Sequence, residues 1–218
     1  MGKKLVFGSD KGGVGKTTTA TNIAAMAVSK GKSVIYLKTD KNDDAMDWRE
    51  RRIDNGLQDI PVHAAYGNVS AEIERLSKLC DILIVDCAGH DSTEFRSALT
   101  VADMLITLTK PSSTFETNTL TTVTEKVRKA QLAGNKDLQS WVLMTRVKPQ
   151  KVSAAIELEK TLKSDSVWIQ PLKTRLSELD VYESACNEGA GVHDLERGPS
   201  LSKAKALLEL MAKEINLL

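Results

Sequence analysis

Residues 5 to 18 read Leu5-Val6-Phe7-Gly8-Ser9-Asp10-Lys11-Gly12-Gly13-Val14-Gly15-Lys16-Thr17-Thr18. A short apolar run gives way to glycines, and a helical pattern opens near Lys16. Strand, glycine loop and helix in that order make a phosphate-binding loop. Glycines let backbone N–H groups turn inward around a polyphosphate, and the helix N-terminus adds partial positive charge. Lys16 is placed to reach the outer phosphates, and the Thr17 hydroxyl to ligate Mg²⁺. The general pattern asks for glycine six residues before the lysine, where this chain has Asp10. The specialised octet K-G-G-x-G-K-T-T is met in full from Lys11 to Thr18.

Outward from the loop, apolar runs alternate with helical patterns. Strands are expected near Lys4–Ser9, Ser33–Thr39, Ile82–Asp86, Met104–Thr109, Ser140–Thr145 and Val167–Ile169, with a short weak one at Val62–Ala64. Helices are expected over Lys16–Lys30, Asp43–Asn55, Val69–Leu79, Thr93–Ala102, Thr114–Ala133, Val152–Lys163, Leu176–Glu188 and Ser200–Asn216. Runs such as Ile82-Leu83-Ile84-Val85 are continuously apolar, as strands covered on both faces require. The alternation predicts an α/β fold of the P-loop type, a mostly parallel sheet with helices on both faces. Ligand then sits at the carboxyl ends of the strands, where Lys11–Thr18, Asp40 and Asp86 all fall.

The 218 residues suit a single domain spanning 1–218, large enough to bury a core without disulfides. A net charge of +1 gives no global pull toward nucleic acid, so any DNA contact must come from a local patch. Aromatics at 4% argue against base-stacking platforms. Cys80, Cys87 and Cys186 lack metal-type spacing and read as reduced packing residues in a cytoplasmic protein. Leu5-Val6-Phe7 is too short for the apolar core of a signal peptide.

Two carboxylates complete the candidate site. Ile82-Leu83-Ile84-Val85-Asp86 is a buried strand ending in an acid, the form of a Walker B element, so Asp86 is expected to hold Mg²⁺ through water. Gly89 follows in a D-x-x-G pattern, where a glycine lets the loop close on the last phosphate. Asp40 ends the second strand.

The octet Lys11–Thr18 resembles the deviant Walker A loop of the ParA/MinD superfamily. The likeness is nearest to short plasmid-type partition ATPases. It implies ATP and Mg²⁺ as cofactors, contacts from Lys11, Gly12, Gly13, Val14, Gly15, Lys16, Thr17 and Thr18, and a homodimer in which Lys11 reaches the partner's nucleotide. Asp40 matches the second aspartate of the family's D-x-D-P-Q segment, which orients the attacking water and stands near the metal. Lys38, Lys41 and Asn42 depart from that segment. Asp91–Ala98 resembles the family's switch II. Pro171 falls where the base edge is often lined. The resemblance further implies non-specific DNA binding, for which Lys173, Arg175, Arg197, Lys203 and Lys205 are candidates, against the alternative of an ordinary solvated face. It also implies a ParB-like partner that prompts hydrolysis, and a nucleoid-associated place in the cytoplasm. Two related roles remain beside DNA partition: a membrane-associated MinD-like regulator and a positioner of protein cargo. The stripe Leu201, Ala204, Leu208, Met211, Ile215 and Leu218 could serve a membrane tail, but it lacks bulky aromatics and is expected to pack in the core.

Overall fold

In the computed structural model, which describes residues 1–218, seven parallel strands form one sheet in the order β3-β2-β4-β1-β5-β6-β7. They are β1 (Lys3–Phe7), β2 (Val34–Lys38), β3 (Val62–Ala64), β4 (Ile82–Asp86), β5 (Met104–Thr109), β6 (Gln139–Met144) and β7 (Gln170–Pro171). Nine helices connect and flank them: α1 (Lys16–Ser29), α2 (Asp44–Asp54), α3 (Ser70–Leu76), α4 (Thr93–Leu99), α5 (Thr114–Thr117), α6 (Thr119–Leu132), α7 (Val152–Lys163), α8 (Asp180–Asn187) and α9 (Leu201–Glu214).

The central strands β4 and β5 are buried at every position, which is why all their residues but Asp86, Thr107 and Thr109 are apolar. Two apolar cores lie on opposite faces. Ile23 and Met26 of α1, Trp48 of α2, Tyr182 of α8 and Leu208 and Met211 of α9 pack on one. Ile73 of α3, Phe95 and Leu99 of α4, Val123 and Val127 of α6 and Leu162 of α7 pack on the other. The stripe therefore lies in the core from Leu201 to Ile215, as expected from its composition, while Leu218 is exposed. No helix is long and apolar enough to cross a membrane.

Three expectations need correction. The seventh strand lies at Gln170–Pro171, not Val167–Ile169. The carbonyls of Ser166, Val167 and Trp168 accept from the Arg128 guanidinium of α6, and the Val167 N–H donates to Asp165 Oδ1 at 2.8 Å. That bonding takes the groups a strand ladder would need. The helix expected from Leu176 starts at Asp180, because the Leu176 N–H donates to the Met144 carbonyl at 2.9 Å and extends the sheet edge first. The long helix expected over Thr114–Ala133 is divided at Asn118. There the Thr117 and Thr119 hydroxyls donate back to the Thr114 and Glu116 carbonyls, a habit that weakens helix interiors.

One ion pair braces the region behind the cleft. Arg52 of α2 is buried and makes a bidentate pair with Asp194 at 2.7 and 3.2 Å. It also donates to the Gln58 carbonyl at 2.6 Å and lies 5.4 Å from the Trp48 ring centroid. Trp48 Nε1 donates to the Ala190 carbonyl at 3.1 Å. Helix α2, which follows the Asp40 loop, is thereby fixed to residues 189–194.

Candidate functional site

The loop between β1 and α1 lies at the carboxyl edge of the sheet. Gly13 and Gly15 have φ of 74° and 91°, a region where a side chain would be strained. Val14 is buried beneath the loop and anchors it. From the end of β6, the Thr145 hydroxyl donates to the Val14 carbonyl and Arg146 Nη1 to the Gly13 carbonyl, both at 3.0 Å. Thr145 and Arg146 thus fasten the loop from below, a role their sequence gave no sign of.

Lys16 is 7% exposed, and its ammonium donates to the Lys11 carbonyl at 3.3 Å. Burial pulls its pKa below 10.5, while Asp86, Cys87 and Asp40 push the other way. A partly desolvated cation of this kind gains from an incoming polyanion. Lys11 itself is exposed at the rim, and Ser9 Oγ donates to its carbonyl at 2.8 Å.

Beside Lys16, Asp86 Oδ2 accepts from Thr17 Oγ1 at 2.6 Å and from Tyr36 Oη at 2.8 Å. Asp86 Oδ1 is buried with no partner. Burial raises the Asp86 pKa above 3.8, opposed by the bonds from Thr17 and Tyr36 and by Lys16. Tyr36 is a site residue that the sequence reading missed. Its signal was a polar tip on an otherwise apolar strand, two positions before Lys38.

The donor set fits Mg²⁺. Thr17 and Asp86 supply two oxygen donors at one point, and the unpartnered Oδ1 has capacity for a water on the metal. No cluster of three or more His, Cys, Asp or Glu side chains could hold a metal alone. Phosphate oxygens and water must therefore complete the coordination, as hard Mg²⁺ prefers.

The loop after β4 closes against the phosphate-binding loop. A Cβ at Gly89 would lie 2.5 Å from Gly12 Cα and 2.7 Å from its N, so only glycine allows this approach. His90 is exposed. Asp91 pairs with Arg96 at 2.7 Å and with Lys126 of α6 at 3.4 Å. Lys126 and Thr122 also bond to Asp10, the residue standing where the general loop pattern has glycine. Asp10 thus links the phosphate loop to α6 rather than to solvent, a connection legible only once α6 is placed beside β1.

Lys16, Thr17, Asp40 and Gly89 line one open cleft of about 1120 Å³, together with Thr145 and Arg146. Asp86 is buried behind the lining, bonded to Thr17. Pro171 is not among the lining residues. It is buried within β7, and the cleft wall is formed by Leu176–Asp180 after that strand instead. The DNA candidates fall in two groups. The backbone of Lys173 donates to Glu214 at the end of α9, and Arg175 is paired with Glu159. Lys203 and Lys205 lie in the first turns of α9, which rises about 20 Å along its length, and Arg197 in the loop before it. Lys205 donates to the Leu195 carbonyl at 2.7 Å, while Lys173, Arg197 and Lys203 are exposed cations. Burial pushes the Cys87 thiol up to about 12 and Cys186 to about 11, so neither is a ready nucleophile.

A family model described as the CobQ/CobB/MinD/ParA nucleotide binding domain matches residues 5–180. The chain is 28% identical over 209 residues to the maintenance of carboxysome distribution protein A of Gloeobacter kilaueensis, covering 94% of this chain and 90% of that protein. Among solved structures, apo McdA from Cyanothece superposes with a TM-score of 0.73 at 19% identity, over 97% of this chain and all of that one. A plasmid partition protein from Borrelia burgdorferi B31 bound to AMPPNP gives 0.67 at 18%, over 98% of this chain and 100% of that one. At these identities the two structures attest the fold.

Proposed function

The chain belongs to the CobQ/CobB/MinD/ParA nucleotide-binding family, and on that footing we propose that it is a ParA-type positioning ATPase. Its substrate is ATP with Mg²⁺, hydrolysed to ADP and phosphate. Gly12–Thr18 bind the phosphates through backbone N–H groups, and Lys16 neutralises their charge. Mg²⁺, held by Thr17 and through water by Asp86, would neutralise charge on the transferring phosphoryl group. Asp40 orients the attacking water and accepts its hydrogen bond. Lys11 of one copy reaches the nucleotide of the other, so ATP controls assembly by linkage. The ATP dimer binds DNA non-specifically, and a ParB-like partner prompts hydrolysis and release.

The observation that carries this reading is the rim of the cleft. Lys11 is solvent-exposed beside a buried Lys16, with Asp86 and Thr17 already paired behind them. A second lysine outside the pocket suits a site closed by a partner.

Two cargo classes fit. DNA partition accords with the likeness to the Borrelia protein, and protein-cargo positioning with the near full-length likeness to the carboxysome distribution protein. A membrane-regulator role has less support, since the stripe from Leu201 to Ile215 is committed to the core. The test is retardation of a non-specific DNA duplex with ATP, ADP or no nucleotide, repeated in high salt. Retardation with ATP alone, lost in salt, supports the reading. DNA binding indifferent to nucleotide counts against it.

A further inference from the structure

β2 ends on Lys38, which is 3% exposed and lies in register beside Asp86 of β4. Its ammonium leaves the sheet edge and donates to the Asn42 carbonyl and, at 3.1 Å, to Asp43 Oδ1. Those two bonds span the loop that carries Asp40 from β2 to α2. The loop's other ties sit at its ends. The Thr39 N–H donates to the Asp86 carbonyl at 3.0 Å, and the Asp47 N–H to the Asp43 carbonyl at 2.9 Å. Between them, the Asn42 N–H approaches Asp40 Oδ1 at only 3.5 Å, the outer limit of a hydrogen bond. Lys38 is thus the clasp at the middle of the loop.

A buried ammonium is costly to leave unpaired, so these bonds resist opening. The chemistry is specific to a cation. The family pattern that the chain resembles has aspartate at this position. A carboxylate cannot donate to the Asn42 carbonyl, and it would repel Asp43. The departure at Lys38 therefore changes how the loop is held, not merely its local charge.

We propose that Lys38 is a positioning residue that holds the Thr39–Asp43 loop closed and so sets Asp40 at the cleft before nucleotide enters. The part concerning Asp40 rests on the ATPase reading above; the closure of the loop does not.

The test uses the full chain with Lys38→Met, which keeps length and removes the donor, and Lys38→Arg, which restores a donor. Amide hydrogen exchange of residues 39–47 is measured without nucleotide, and ATP turnover is measured with kcat and KM resolved separately. Lys38→Met should speed exchange over this segment about ten-fold or more. It should lower kcat by about ten-fold while KM for ATP stays within about two-fold, the signature of lost positioning rather than lost binding. Lys38→Arg should recover most of both. If Lys38→Met does not fold, Asp43→Ala removes only the exposed partner and should still speed exchange about three-fold. Unchanged exchange in the folded variant overturns the proposal. So does faster exchange with kcat intact, or a rise in KM alone, which would mean that Lys38 contacts phosphate. A parent chain without turnover would remove the ATPase reading and the Asp40 part with it, while the exchange result would still judge the clasp.

Discussion

A single methyl group added at Gly89 probes how closely the loop after β4 shuts on the phosphate-binding loop. The Cβ of Gly89→Ala would meet Gly12 Cα at 2.5 Å, Gly12 N at 2.7 Å and the Lys11 carbonyl carbon at 2.9 Å. All three are backbone atoms, so no side chain can swing aside, and the two loops must part by roughly 1 Å. Both loops lie at the sheet edge, where they can separate without opening either core. The melting temperature should therefore stay within about 3 °C of the parent. The cost appears when phosphate demands the closed arrangement. Overpacking of this size costs about 1–3 kcal/mol. At ~1.4 kcal/mol per ten-fold, nucleotide affinity should fall about 5- to 150-fold. Titration with a fluorescent non-hydrolysable ATP analogue in Mg²⁺ reads the affinity, and thermal unfolding reads the fold. An affinity within two-fold of the parent would refute the argument that closure of this loop forms part of the nucleotide site.

Other outcomes follow from the same geometry. Lys16→Ala removes the one buried cation at the loop, and equilibrium nucleotide binding should drop by at least about 100-fold; retained binding would place the phosphates elsewhere. Asp40→Ala should bind ATP as the parent does yet hydrolyse it about 100-fold more slowly, giving a long-lived ATP state in a phosphate-release assay. Rapid turnover by that variant would remove Asp40 from the mechanism. Asp194→Ala strands the buried Arg52 guanidinium. That should cost about 3–5 kcal/mol and lower the melting temperature by on the order of 10 °C. Unchanged melting would mean that water or a neighbour satisfies Arg52.

Much of this was legible in the residues because the strongest signals are local. The phosphate loop needs glycine at particular φ values, and its position after Leu5-Val6-Phe7 fixed the first strand and helix. Ile82–Asp86 and Met104–Thr109 are buried on both faces, and their mainly apolar residues made them legible as strands. Val167–Ile169 misled because its backbone carbonyls are claimed by Arg128, nearly forty positions away, and no local pattern carries that information. Pro171 was placed at the base edge by analogy, but a two-residue β7 ends before the cleft wall begins at Leu176. Tyr36, Asp10, Thr145 and Arg146 escaped for the same reason. Each acts through a partner brought near by the sheet order. The five basic candidates fall at 173–175 and 197–205 in the sequence; the structure ties the Lys173 backbone to Glu214 at the far end of α9 and pairs the Arg175 guanidinium with Glu159.

Sedimentation of the full chain with saturating non-hydrolysable ATP and Mg²⁺, beside nucleotide-free and Lys11→Ala samples, addresses the shared pocket most directly. The account predicts a dimer with the ATP analogue, a monomer without it, and a monomer under both conditions for Lys11→Ala. A parent chain that remains monomeric at saturation, or a Lys11→Ala variant that dimerises as readily as the parent, would contradict it.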